Sequence, residues 1–306
     1  MNTIKFSKLY NQTTEQHDLE VETVTEEEFY KHKIHLQHPC NLNIFVTNLC
    51  QNDCFFCING RNHSEENEIS NRKYYISLEK CLSDLQGKDI EITITGGEPT
   101  LIPSKFVRTM ELCKKYGFPC RTVSTTGIRL LDDFKGKALC QHMIENNFIH
   151  NINISRMHFN EKKNKEILNG CNLTNKEISK LAYFFSANNA EMRVSCNIIS
   201  GYIDSMEKIL EFVSYFENLG VETIMFRELI MENPLLLPGI LDFQNFNKLD
   251  VLYGDNYEVE VYIYKNFLVK HYKTVLKKQK NVNSMSLKNG ILRIGFNGEI
   301  IKNFCE

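Results

Sequence analysis

Six short runs rich in β-branched residues recur along this chain: LNIFVTN (42 to 48), IEITIT (90 to 95), CRTVST (120 to 125), HNINIS (150 to 155), MRVSCNII (192 to 199) and ETIMFR (222 to 227). Segments of helical periodicity separate most of them, among them SKFVRTMELCKKYG (104 to 117), NKEISKLAYFFSANN (175 to 189) and SMEKILEFVSYFENLG (205 to 220). Strand alternating with helix predicts a parallel sheet with helical crossovers. A parallel strand covered on both faces reads as a nearly continuous apolar run. These strands alternate instead: Thr93 and Thr95 share one face, as do Asn151, Asn153 and Ser155, and Arg193, Ser195 and Asn197, with Ile, Val and Cys on the other.

A closed eight-stranded barrel fills its lumen with branched aliphatic side chains and leaves no polar face. The expected architecture is therefore α/β, a partial (β/α)6 TIM-like open barrel holding a polar ligand, with helices outside. An antiparallel sheet with one wet face would give the same alternation but not the helical crossovers. The barrel is expected over 41 to 232. A polar lead-in, 1 to 40, precedes it, with a strand at 18 to 24 and capping-box spacing at Thr25-Glu26-Glu27-Glu28 for a short helix. NPLLLPG (233 to 239) breaks the pattern, and 233 to 306 reads as a small α+β cap. It comprises a helix at 242 to 252, the strand YEVEVYIY (257 to 264), a basic stretch, and the hairpin ILRIGFNGEII (291 to 301) turning on Asn297-Gly298.

At 306 residues, 42% hydrophobic and 24% charged, the chain has an ordinary globular composition, which excludes a disordered polymer. No run is apolar enough to cross a bilayer and no signal peptide is visible, so a cytoplasmic protein without a membrane partner is expected. In that setting eleven cysteines are expected as reduced thiols or metal ligands. Cys81, Cys113 and Cys140, inside helical patterns, read as small buried hydrophobes. The net charge of -2 hides an asymmetry: from Lys265 onward nine Lys or Arg face two Glu, leaving +7 there and about -9 elsewhere. Such a region either is a solvated face or attracts an anionic substrate, an acidic peptide or nucleic acid.

CQNDCFFC (50 to 57) sets three cysteines just after the first strand, at the carboxyl end of the sheet where ligand loops gather. Three thiolates on a metal centre leave one position open, and an open position suits chemistry better than scaffolding. The Cys-x3-Cys-x2-Cys spacing of Cys50, Cys54 and Cys57, with Phe56 before the third cysteine, resembles the radical S-adenosylmethionine superfamily. Gly96-Gly97-Glu98-Pro99, ending the second strand, resembles that family's Gly-Gly-Glu motif.

The resemblance implies one 4Fe-4S cluster on the three cysteines, with S-adenosylmethionine on the open iron. It implies reductive cleavage to a 5'-deoxyadenosyl radical that removes a hydrogen atom from substrate, and an electron donor such as flavodoxin or ferredoxin. By resemblance Gly96 and Gly97 present backbone to the methionine amine, Glu98 orients it, and Phe56 lies beside the cofactor. Ser124 and Thr126 (VSTTGIRL), Ser155 (ISRMHF, with Arg156-Met157 in place of Leu-Asp) and Asn197 (NIISGYID) stand where relatives contact it. Asp204 stands in place of a Glu in the last of these patterns.

RVSCNIISG and MFRELIMEN resemble strands of the molybdenum-cofactor cyclase, MoaA-like subgroup, which places Arg193 and Arg227 toward substrate; Asn153, on the polar face, is expected to face it too. Only Cys305 follows Cys196, so neither that subgroup's second cluster nor a SPASM extension is expected. Cys305 is a candidate hydrogen-atom donor. The substrate expected is a small molecule, anionic or nucleotide-like, with a ribosomal peptide as the alternative. A third reading is a zinc module in which Cys40 or His63 completes a tetrahedron and the basic end binds nucleic acid; it leaves Gly-Gly-Glu-Pro and the polar strand faces unexplained, so nucleic acid is not the expected partner.

Overall fold

A computed structural model describes residues 24–29, 32–57, 68–88, 90–118, 120–145, 150–228, 242–243, 246–253, 257–265, 267–274 and 288–301. Its strands are β1 (Val24–Phe29), β2 (His32–Phe45), β3 (Ile90–Thr95), β4 (Cys120–Thr125), β5 (Asp133–Phe134), β6 (Lys137–Ala138), β7 (Asn151–Ser155), β8 (Glu191–Asn197), β9 (Thr223–Arg227), β10 (Asn247–Tyr253), β11 (Tyr257–Tyr264), β12 (Phe267–Thr274), β13 (Lys288–Ile294) and β14 (Ile300–Ile301). Its helices are α1 (Glu68–Leu85), α2 (Pro103–Lys115), α3 (Leu139–Glu145), α4 (Glu161–Leu168), α5 (Asn175–Ala187) and α6 (Met206–Asn218).

The helices begin where the sequence supplies caps. Thr174 and Glu177 form a capping box on α5, the Ser205 hydroxyl accepts from the Lys208 amide on α6, and Pro103 opens α2 with its φ already helical. Each then buries one stripe: Phe106, Met110 and Cys113 on α2, Ile178, Leu181, Ala182 and Phe185 on α5, Ile209, Phe212, Val213 and Phe216 on α6. Those side chains pack with Leu42, Ile44, Ile92, Ile94, Val123, Ile152, Ile154, Val194 and Ile224 in one core cluster.

Eight strands in the order β12-β9-β8-β7-β4-β3-β2-β13 run parallel. Antiparallel strands extend the same sheet, β11 and β10 beyond β12 and β14 beyond β13, while β1 forms a hairpin on β2. Among the described residues the sheet does not close on itself. Register carries the polar face across it: Asn43 beside Thr93, Thr122 beside Asn151, Ser124 beside Asn153 beside Arg193 beside Thr223, and Ser155 beside Ser195 beside Met225 beside Lys270.

Three expectations change. Residues 24–29, expected to start a helix, form β1, because a capping signal worth about 1 kcal/mol is outweighed by a six-residue ladder on β2. Of the helix expected at 242 to 252, residues 247–252 belong to β10, drawn into pairing with β11 around an irregularity between Lys248 and Asp250. FLVKHYKT, within the basic stretch, is β12. It and β13 bring the parallel set to eight where six were counted, so these C-terminal strands join the sheet at both edges. The expected strand at 257 to 264 is β11, and β13 turns back to β14 around Gly298, whose φ of 80° only glycine adopts at low cost.

Candidate active site

The cysteine loop leaves β2 at its carboxyl end and is sewn to the turn after β3. The Val46 amide donates to the Thr95 carbonyl (3.0 Å), Gly97 to Thr47 (2.7 Å) and Glu98 to Leu49 (2.7 Å). A Cβ at Gly96 (φ 151°) would collide with the Thr47 carbonyl oxygen, and one at Gly97 with that of Leu49. Glycine is required at both because two backbones touch there.

Glu98 is wholly buried, and its carboxylate gathers the third turn, after β4. Oε1 accepts from the Thr100 amide (3.1 Å), the Thr100 hydroxyl (2.6 Å) and the Thr125 hydroxyl; Oε2 accepts from the Thr126 amide (2.6 Å) and hydroxyl (2.7 Å). These five donors, three on one oxygen and two on the other, leave neither carboxylate oxygen without a partner. Thr126 Oγ1 also accepts from Gln51 Nε2 at 2.8 Å, which returns the network to the cysteine loop.

On its other side the loop rests on the α4–α5 connection. The Asp53 amide donates to the Leu168 and Asn169 carbonyls, both at 3.2 Å, and Asn52 Oδ1 accepts from the Cys171 amide at 2.7 Å. Phe56 is buried among Met157, Ile167, Leu168 and Ile199, which fixes the third cysteine against the segments following β7 and β8. Arg156, where relatives of the resembled family carry Leu, has a structural task. It is 1% exposed and donates to the carbonyls of His158 (2.9 Å), Leu173 (2.6 Å) and Phe159 (3.4 Å) and to Asn175 Oδ1 (2.7 Å), clasping α4 and α5 together.

Cys50, Cys54 and Cys57 are free thiols in this one loop. Burial first, then the neighbouring charges of Glu98 and Cys57, push Cys50 up to about 11; burial, Cys50 and Cys57 push Cys54 up to about 12. Cys50 and Cys54 thiols that burial and neighbouring charge keep from ionising are donors that a multiply charged iron centre would stabilise as thiolates, and the chemistry of the donor set fits the group. The thiols must turn to engage it: Cys54 Sγ points to the Leu168 carbonyl at 3.4 Å, and no three His, Cys, Asp or Glu side chains among the described residues stand gathered as a metal site.

The remaining expected residues fall at two levels of the polar face. Near the carboxyl ends, Ser155 is level with Ser195, and Asn197 is beside Arg227, whose guanidinium lies 4.1 Å from the Tyr272 ring centroid and whose Nε reaches Ser195 Oγ at 3.3 Å. Asp204 lies apart, accepting from the Gly201 amide and Lys208 Nζ. Deeper, Asn153 donates to Ser124 Oγ at 3.4 Å, and buried Arg193 is ion-paired through Nε and Nη2 with Glu191 Oε2. Burial alone would raise Glu191, but Arg193 and Lys270 overcome it and hold the carboxyl down to about 2.

Cys305 and His63 lie outside the described residues. Cys40 pairs with Ile90 at the amino end of β3, about 17 Å of strand from its carboxyl end, so Cys40 and the cysteine loop are not brought together. The sequence reading passed over Glu191, Thr223 and Lys270. Alternation with Arg193 marked Glu191 as facing the polar side, whereas Lys270 could be found only once β12 was recognised as a strand.

No family model matches the chain, and no curated protein does. Among solved structures it is similar to Streptococcus suis SuiB bound to S-adenosylmethionine (TM-score 0.47, 16% identity, 76% of this chain and 47% of that one). It is also similar to native anSMEcpe with bound AdoMet (0.46, 19%, 65% and 56%). A third similar structure is that of the radical S-adenosylmethionine methyltransferase TsrM from Kitasatospora setae with tryptophan substrate and a SAM analog (0.41, 13%, 61% and 35%). The chain thus spans between about a third and somewhat over half of the length of these proteins.

Proposed function

We propose that the chain is a radical S-adenosylmethionine enzyme with a single 4Fe-4S cluster acting on a small, anionic molecule. The observation that carries this reading is the union of the cysteine loop with the Gly96-Gly97-Glu98 turn through two 2.7 Å backbone bonds, at positions where no side chain fits. Cys50, Cys54 and Cys57 would hold the cluster, which when bound supplies the electron that splits S-adenosylmethionine and frees a 5'-deoxyadenosyl radical. A flavodoxin or ferredoxin is the expected electron donor.

The chain's own part is placement. Gly96 and Gly97 let backbone groups approach the cofactor's amino acid end, and Glu98 holds Thr126 against Gln51 so that this wall keeps its shape. Phe56, with Met157 and Ile199, makes an apolar flank that excludes water. Ser124, Ser155 and Asn197 offer hydrogen-bonding groups along the polar face, and Arg193, fixed by Glu191, stands as a positioned cation below them. The eight parallel strands are read as an opened, TIM-like barrel around that face, with Cys305 as hydrogen-atom donor; Cys305→Ala should then change the product and leave 5'-deoxyadenosine formation intact.

Anaerobic reconstitution tests the reading. Brown protein with roughly four iron per chain, releasing 5'-deoxyadenosine under a strong reductant, is expected. The Cys50→Ala, Cys54→Ala, Cys57→Ala triple variant should do neither. Colourless protein with stoichiometric zinc would overturn it.

A further inference from the structure

The polar face holds a cation whose one carboxylate neighbour among the described residues, Glu191, is already ion-paired with Arg193. Lys270, on β12, is 6% exposed, yet makes no hydrogen bond or ion pair among the described residues. In register it is level with Met225, Ser195 and Ser155. Arg193, the nearest large cation, is taken up by Glu191, and Glu191 is further occupied by the Thr223 hydroxyl at 2.5 Å. Arg227 lies over Tyr272. Strands β8, β9 and β12 therefore present three basic side chains to this face against one carboxylate, with Glu91 of β3 facing Arg193. Beside Arg193, Asn153 is 8% exposed and its Oδ1 has no partner.

Burying a basic group without a counter-ion disfavours its charged form. Burial, then Arg193, bring Lys270 down to about 7, while Glu191 opposes the fall. A protein seldom keeps a lysine in such a place for packing, since an aliphatic side chain of similar volume would fill it more stably. An entering oxyanion would restore the charge, and Asn153, beyond β8 and β9 on the same face and two residues deeper in register, offers a second polar group to a substrate lying along that face.

We propose that Lys270 forms a subsite that takes an oxyanion of the substrate, a carboxylate or a phosphate, beside the neutralised Arg193–Glu191 pair. The subsite rests on the reading that this face receives substrate. It also explains why β12 joins the sheet: the C-terminal region contributes a residue to the same face as the six earlier strands.

The test is pulse acetylation of the full chain near neutral pH with acetic anhydride, read lysine by lysine by mass spectrometry, with inorganic phosphate, acetate or chloride at equal ionic strength. An oxyanion that raises Lys270 from about 7 by one pKa unit cuts its free amine at neutral pH, and so its acetylation, about fivefold. Slowing of that order by phosphate alone assigns a phosphoryl group, by acetate alone a carboxylate, and by both a general oxyanion site; exposed Lys180 should not respond. Equal acetylation of Lys270 in all three salts overturns the proposal, as does a Lys270 that never reacts, since a subsite must admit a small reagent. The parent's release of 5'-deoxyadenosine is a separate readout: protection without cleavage sinks the radical reading and keeps the subsite, and cleavage without protection does the reverse.

Discussion

At the scale of single residues, the site depends on two positions that tolerate nothing larger and one that tolerates nothing neutral. Gly97→Ala forces its new methyl into the Leu49 carbonyl, so the cysteine loop and the turn after β3 must part. The expected result is a folded protein whose S-adenosylmethionine affinity falls at least about tenfold, a cost near 1.4 kcal/mol, measured by equilibrium dialysis. Glu98→Ala is more severe. It leaves the Thr100 and Thr126 amides and three hydroxyls without an acceptor, and one buried unsatisfied donor alone costs about 1 to 3 kcal/mol. Urea unfolding should show a loss of about 3 kcal/mol or more. Glycine pairs and a glutamate are plain in the sequence; that the carboxylate serves Thr125 and Thr126 was not, because 27 and 28 residues separate the partners and no local pattern encodes their meeting.

At the scale of elements, the α4–α5 connection acts as a bracket for the cysteine loop. Asn52 Oδ1 and the Cys171 amide make one of the bonds between them, and a Cβ at Gly170 would strike Asn52. Asn52→Ala should leave the global midpoint within about 1 kcal/mol of the parent and loosen the loop. Lower iron content after anaerobic reconstitution, with faster proteolysis near residue 52, is the expected outcome; full iron loading would show that the cysteines do not need the bracket. Helices α2, α5 and α6 were legible from apolar period and caps, their ends agreeing within two residues of those expected. Strands β1 and β10 were not, since the partner strand, which the local sequence does not contain, decides such a segment's state.

At the scale of the whole molecule, Glu191 connects strands far apart in the chain: it holds Arg193 on its own strand and Thr223 on β9, and lies beside Lys270 of β12. Its carboxyl is held down to about 2 from 4.5, so its pairing stabilises the fold fully above pH 4.5 and the gain is lost as pH falls through 2. Glu191→Ala should cost about 3 kcal/mol at neutral pH and flatten the acid side of the stability profile, measured by urea unfolding between pH 2 and 6. No described helix is long and apolar enough to cross a membrane. The order of chemistry along the chain was written in the sequence, because it is local: strand then cysteines, strand then Gly-Gly-Glu, and a two-residue alternation that turned Asn153 and Arg193 to one face. Tertiary structure alone decided which of those groups are spent on one another and which stand free. Arg193 is neutralised by a carboxylate two residues away, and Lys270 reaches the same face only because β12 pairs with β9 across the chain. Charge compensation and burial are properties of three-dimensional neighbours, and a linear pattern carries no record of them.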